Sequence, residues 1–161
     1  MAECLLSGPA TETEASWGPA AAAAALPSDR VMFAASGFRG GLAVVGGWLG
    51  GPAGTLEIYD PVAAGWRRGP DMPTPRFALA AAEFAGRLFA VGGSAGRGPL
   101  AVVESFDGDA WITEPPLARP RQLLALVAFG DRLFALGGRG PGPAGAALSD
   151  VESYALQAPA A

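Results

Sequence analysis

Apolar positions along this chain come in short bursts, each closed by glycine or proline, and the bursts recur. Leu123 to Phe129 is one burst, and Gly130-Asp131 follows it with the residue types of a tight hairpin turn. Leu133 to Leu136 comes next and is apolar at consecutive positions, as is Leu88 to Val91 in an earlier passage. Continuous apolarity over four residues predicts a strand covered on both faces, because a half-exposed strand alternates. A double glycine ends each such burst. Glycine has no Cβ, so it permits close backbone approach and dihedrals closed to other residues.

The bursts are copies of one unit. Gly46-Gly47, Gly92-Gly93 and Gly137-Gly138 lie 46 and 45 residues apart. Each pair is preceded at 16 residues by an arginine (Arg30, Arg76, Arg121), at 8 by a phenylalanine (Phe38, Phe84, Phe129) and at 4 by a leucine (Leu42, Leu88, Leu133). Arg76–Gly93 and Arg121–Gly138 agree at 10 of 18 positions, far more than shared composition gives, so the repeat decides the architecture. After the glycines comes a variable Gly/Pro-rich loop and then an acid-x-aromatic group: Glu57-Ile58-Tyr59, Glu104-Ser105-Phe106 and Glu152-Ser153-Tyr154. A tryptophan follows in two copies, Trp66 and Trp111. Trp17 precedes the first arginine in the same order, with a three-residue excess that the neighbouring alanine run accommodates. Each copy thus predicts four short strands, the third carrying the acid and aromatic, the fourth the tryptophan. The fixed register of the three arginines points to an architectural task repeated per unit, pairing with Glu57, Glu104 and Glu152 or with buried carbonyls.

A period near 50 with a double glycine, a Tyr/Phe and a spaced Trp resembles the kelch repeat, over about Trp17 to Leu156. The resemblance implies an all-β fold, a partial kelch β-propeller of about three four-stranded blades, with repeats at about 30–75, 76–120 and 121–158. It also implies that Gly46, Gly92 and Gly137 end second strands, and that Trp66 and Trp111 lie in outer strands packing on the next blade. The third copy departs from the pattern: no Asp follows Tyr154 and no Trp comes after it, so the last blade lacks its outer strand in sequence. A spare outer strand is expected around Trp17, behind a polar, disordered leader over 1–16. Three blades leave edges and faces uncovered. Three readings stand open: a homodimer that completes a six-bladed ring, a shortened product, or a segment of a larger kelch protein.

Composition narrows the chemistry. The chain has 161 residues, of which 24 are Gly and 15 Pro, a density that disfavours long helices. Its net charge is -4, so nothing favours nucleic acid or an anionic membrane, and no apolar run is long enough to cross a bilayer as a helix. All basic residues are arginine. Without His or Lys, imidazole bases and Schiff-base lysines are absent. The one cysteine, Cys4, excludes an internal disulfide framework, sits without a basic neighbour, and suits a reducing, cytoplasmic setting. No metal or cofactor is expected. Gly140 to Gly145 fits G-x-G-x-x-G, but two prolines remove donors and no helix pattern follows, so it does not read as a phosphate loop.

By resemblance, the loops at one rim form the binding face, as loops on a rigid scaffold usually do. Trp48, Leu49, Ser94, Arg97 and Arg139 follow the double glycines, and Met32, Phe77 and Gln122 follow the repeat arginine. Arg97 and Arg139 stand in Gly-Arg-Gly settings, where planar guanidinium forks suit an acidic peptide segment. The expected function is a protein-protein interaction module, in a family where some members add a BTB domain that docks a cullin ubiquitin ligase while the propeller selects the substrate. No BTB domain fits before Trp17. An actin-associated scaffold is the alternative, and a sugar-processing kelch enzyme a further one. The copper-dependent oxidases of that family need histidine and a cysteine-linked tyrosine, which this chain does not offer, and no unrepeated carboxylate pair suggests a general acid and base.

Overall fold

In a computed structural model the described residues are 25–142 and 145–156. The leader with Cys4, the alanine run up to residue 24, the strand expected around Trp17 and the middle of the 140–145 glycine loop lie outside them. Eleven strands and no helix make up the described fold: β1 (Ala34–Phe38), β2 (Gly41–Val45), β3 (Leu56–Asp60), β4 (Gly65–Arg68), β5 (Ala80–Phe84), β6 (Arg87–Val91), β7 (Val103–Phe106), β8 (Trp111–Thr113), β9 (Ala125–Phe129), β10 (Arg132–Leu136) and β11 (Val151–Tyr154). They form three antiparallel meanders: β1-β2-β3-β4, β5-β6-β7-β8 and β9-β10-β11. The third blade has no fourth strand among the described residues, as its missing tryptophan predicts. The sheets do not close into a ring.

Local sequence explains the hairpins. Phe38 pairs with Gly41 and Phe84 with Arg87, leaving two-residue turns at Arg39-Gly40 and Ala85-Gly86. All four turn residues have positive φ, from 50° to 78°, the backbone sign whose twist matches that of the flanking strands. In the third blade Gly130 alone turns with φ 60°, ahead of Asp131.

The core lies between blades. Pleating sends Phe38, Ala43, Val45, Leu56 and Ile58 of the first blade to one side, where they meet Leu79, Leu88, Ala90 and Phe106 of the second. The second blade repeats this with Ala82, Phe84, Phe89, Val91 and Val103 against Leu133, Ala135, Leu124, Leu126 and Tyr154 of the third. A fully buried side chain of this size contributes roughly 1.5–3 kcal/mol, so each inter-blade seam stabilises the arc by several such increments. The continuous apolar run of β6 is buried from Leu88 to Val91, as expected. In β10 the same pattern fails on one side: Leu133 and Ala135 are buried, but Leu136 is exposed. No following blade covers that face among the described residues.

Trp111 corrects another expectation. Its ring lies 5.5 Å from that of Phe106 in its own blade, and its Nε1–H donates to the Pro70 carbonyl at 2.8 Å, so it ties back to the preceding blade. Trp66 stacks at 5.4 Å on Tyr59, also within its own blade.

The double glycines are where blades touch most closely. Gly92 has φ 63°, and a Cβ there would sit 2.5 Å from the Arg121 carbonyl of the next blade. At Gly137, φ 58°, the nearest atom would be the Leu148 carbonyl at 3.2 Å, because no blade follows among the described residues. Gly92→Ala is expected to lower stability by more than about 2 kcal/mol, adding a clash to left-handed strain, and Gly137→Ala by clearly less. Urea midpoints of the two variants check the order.

Candidate binding rim

Each blade is held by a buried arginine that faces a carboxylate and backbone carbonyls at once. Arg76 is fully buried. Its Nη1 donates to Glu104 Oε2 at 2.5 Å and to the Thr74 carbonyl at 2.9 Å, and its Nη2 donates to the Ala90 carbonyl at 2.9 Å. Thr74 Oγ1 donates to the other Glu104 oxygen at 2.7 Å. The first blade copies this arrangement: Arg30 contacts Glu57 at 2.8 Å, the Gly46 carbonyl at 3.1 Å and Ser28 Oγ at 2.6 Å, while Ser28 donates to Glu57. In the third blade Arg119 stands where Ser28 and Thr74 stand, and the hydroxyl is lost. Asp150 takes over: Arg121 Nη2 donates to Asp150 Oδ2 at 2.7 Å and to Glu152 Oε1 at 2.5 Å, and Arg119 adds a contact to Asp150 at 3.2 Å. The repeated arginine–glutamate pairing is therefore architectural, and those three glutamates are engaged.

Burial pushes the Arg76 pKa down, and the Glu104 hydrogen bond and charge oppose that shift. The hydrogen bond from Arg121 holds the Asp150 carboxyl below the usual carboxylate range against a smaller desolvation effect.

The segments beside these arginines build the rim. Val31 bridges Trp48, Phe77 bridges Ser94 and Gln122 bridges Arg139, an antiparallel bridge at the same place in each blade. The loops after the double glycines and after the arginines thus meet at one end, as their repeat register implies. Trp48 is exposed and sets its ring edge-on to half-buried Phe77 at 5.2 Å and 88°, a contact that crosses from the first blade to the second. Leu49 and Met32 are exposed beside it. Arg97 and Arg139 are exposed, and Gln122 is half-buried. Ser94 is buried, and its Oγ accepts from the Gly96 N–H at 3.1 Å, so it shapes its loop rather than offering a free hydroxyl.

Counting from the arginines, Met32 is equivalent not to Phe77 and Gln122 but to Ala78 and Leu123. These three share φ values of 55°, 54° and 55°. The Ala78 N–H donates to the Met32 carbonyl at 2.7 Å, and the Leu123 N–H donates to the Ala78 carbonyl at 2.8 Å, so one residue per blade forms an inner hydrogen-bonded ladder. Val31 and Leu123, both 57% exposed, belong to this rim and were missed by reading the residues blade by blade. Strict alignment of the three arginines reveals them; their left-handed backbone leaves no trace in the residue types. Among the described residues no group of three or more Cys, Asp or Glu could hold a metal ion.

No family model matches the chain. A human protein, Kelch repeat and BTB domain-containing protein 13, is 39% identical over 69 residues, which is 41% of this chain and 15% of that protein. Its mouse counterpart is 39% identical over 66 residues, 39% of this chain and 14% of the other. This chain is a relative of the kelch-repeat proteins. The matched stretch spans about one-seventh of the length of those two relatives. Kelch repeats account for the arginine, double glycine and aromatic register and for the three meanders that carry it.

Removing one member of a buried ion pair costs about 3–5 kcal/mol, because the other charge is stranded. Glu104→Gln is expected to approach that loss in urea unfolding, and Arg97→Ala to change the midpoint by less than about 0.5 kcal/mol. The Asp150 carboxyl binds a proton less readily in the folded state than in the unfolded chain. Its contribution is present above about pH 4 and declines as pH falls through the folded pKa, so Asp150→Asn is expected to flatten the acid limb of stability against pH.

Proposed function

We propose that this chain is a protein-interaction module that binds a segment of another protein on the rim formed by Met32, Trp48, Leu49 and Leu123. The observation that carries this reading is the exposure of those large apolar side chains, between 37% and 57%, on backbone fixed by the inner ladder and the rim bridges. Exposed apolar side chains clustered on a rigid support mark association surfaces. Arg97 and Arg139 lie in the flanking loops and give the rim a cationic border, which favours a partner with apolar anchors and acidic neighbours. The kelch relationship supports the same class of function. The carboxylates of the repeat register, Glu57, Glu104 and Glu152, already pair with arginine, which favours binding over acid–base catalysis.

A role as the substrate-selecting part of a ubiquitin-ligase adaptor is the finer form of this proposal. It draws on the name of the relatives, which records a BTB domain beside kelch repeats. A cytoplasmic setting goes with it, consistent with a single cysteine.

Peptide display against the folded full chain tests the rim. Enriched peptides are expected to pair apolar anchors with acidic residues. Trp48→Ala is expected to weaken them at least about tenfold while lowering stability in urea by no more than about 1.5 kcal/mol, the size of the lost Phe77 contact. Binding indifferent to Trp48 and Leu123 counts against the rim. Capture of a cullin adaptor or co-sedimentation with actin filaments then separates the two partner classes.

A further inference from the structure

The two ends of the blade arc are complementary, and we propose that a second copy of this chain joins them, so that two three-bladed arcs close one ring about a twofold axis. The interior seams show what covers such a face. Val127, Phe129, Leu136 and Val151 of the third blade are 36–77% exposed. Their counterparts in the second blade are Ala82, Phe84, Val91 and Val103, all buried against the third blade. At the other end, Phe33 and Leu42 of the first blade are 36% and 40% exposed, whereas their counterparts Leu79 and Leu88 are buried against the first blade. One end thus displays the covering face of a seam, and the other displays part of the face that a seam covers, Val44 beside Leu42 being already buried.

The backbone carries the same complementarity. At the first seam the Gly47 N–H donates to the Arg76 carbonyl at 3.0 Å, and at the second the Gly93 N–H donates to the Arg121 carbonyl at 2.9 Å. The next pair in this series is the Gly138 N–H and the Arg30 carbonyl, which lie at opposite ends of the arc and have no backbone partner of this kind among the described residues. The inner ladder behaves likewise. It runs Met32–Ala78–Leu123 and leaves the Met32 N–H at one end and the Leu123 carbonyl at the other. A second copy supplies the missing acceptor and donor at each join, in the order the interior seams use. Unpaired backbone groups and uncovered apolar faces are both costly, and one contact satisfies both.

The carboxylate of the first seam is not repeated at such a join. Glu83, which accepts from the Arg39 backbone N–H at the first seam, has Ala128 and Gly37 as its counterparts. Arg132, exposed on the Phe129 side of its strand and donating to Ser153 Oγ at 2.8 Å, is a charge on this face beside its apolar and backbone groups. The two faces of the join are different surfaces, so the assembly closes only because each copy contributes one of each to a twofold pair. The ring has six blades, within the usual range of about 4–8.

Sedimentation equilibrium of the full chain is expected to give twice the 16.1 kDa protomer mass, with a urea midpoint that rises with protein concentration. Phe129→Glu and Leu42→Glu, on opposite ends and exposed in the protomer, are each expected to give folded protomers of single mass. Mixing the two variants is expected to restore association, because one of the two joins in the mixed pair is intact. A wild-type chain that stays single at concentrations up to about 100 µM, growth into open-ended assemblies, or a dimer indifferent to both substitutions overturns the proposal. If a variant loses its fold, the wild-type mass and the concentration dependence of its midpoint decide the matter alone.

Discussion

The buried arginine of each blade is the constraint on which the rest of the structure depends. Its guanidinium holds a glutamate from the third strand, a carbonyl at or just before the double glycine, and in two blades a hydroxyl-bearing neighbour. A planar fork with several donors can serve partners in different directions at once, which a lysine could not. Burial of such a group costs less when its donors are met, and each repeat supplies a carboxylate and carbonyls to the two terminal nitrogens, while the Nε of Arg30, Arg76 and Arg121 is buried without a hydrogen-bond partner. The arginine also fixes the backbone on either side of it. The carbonyls of Arg76 and Arg121 receive the glycine N–H of the preceding blade, so each of these two residues organises its blade internally and binds that blade to its neighbour.

From that anchor the glycines, the seams and the rim follow. The double glycine ends the second strand at the point where the next arginine carbonyl approaches, and a side chain there would have to occupy the same space. With backbones so close, the aromatic and aliphatic faces of adjacent blades interlock, and the rim residues are carried on backbone hydrogen-bonded from blade to blade. Trp48 resting edge-on against Phe77 shows this coupling, since one rim contact already spans two blades. The binding reading and the arc geometry are thus two consequences of one arrangement, with the apolar rim at one end of the strands and the Arg39 hairpin contacts to the second blade at the other.

The third blade shows what happens when a repeat loses part of its equipment. Arg119 replaces the hydroxyl residue, and Asp150, two residues before Glu152, supplies the substitute oxygen. The compensation keeps Arg121 fully buried even though its carboxylate partners are more exposed than Glu104. The same blade has residues identical to those of the second at Phe129, Leu133 and Phe134, yet Phe129 is 77% exposed while Phe84 is buried. Identical local sequence therefore yields opposite burial, depending on whether a neighbour stands beyond it.

The sequence by itself determined the repeat, the all-β class, the four-strand order, the lack of a repeat tryptophan in the last unit and the architectural task of Arg30, Arg76 and Arg121. All of these are read from spacing, and spacing survives because hydrogen-bond register and glycine placement depend on chain distance. Tertiary structure alone decided which apolar residues are covered, that Trp111 ties back to Pro70, that Ser94 turns inward, and that Met32, Ala78 and Leu123 share a left-handed backbone and form the inner ladder. Those features arise from contacts between blades. A strand's residues state that it can be buried on both sides; only the presence or absence of an adjoining sheet states whether it is.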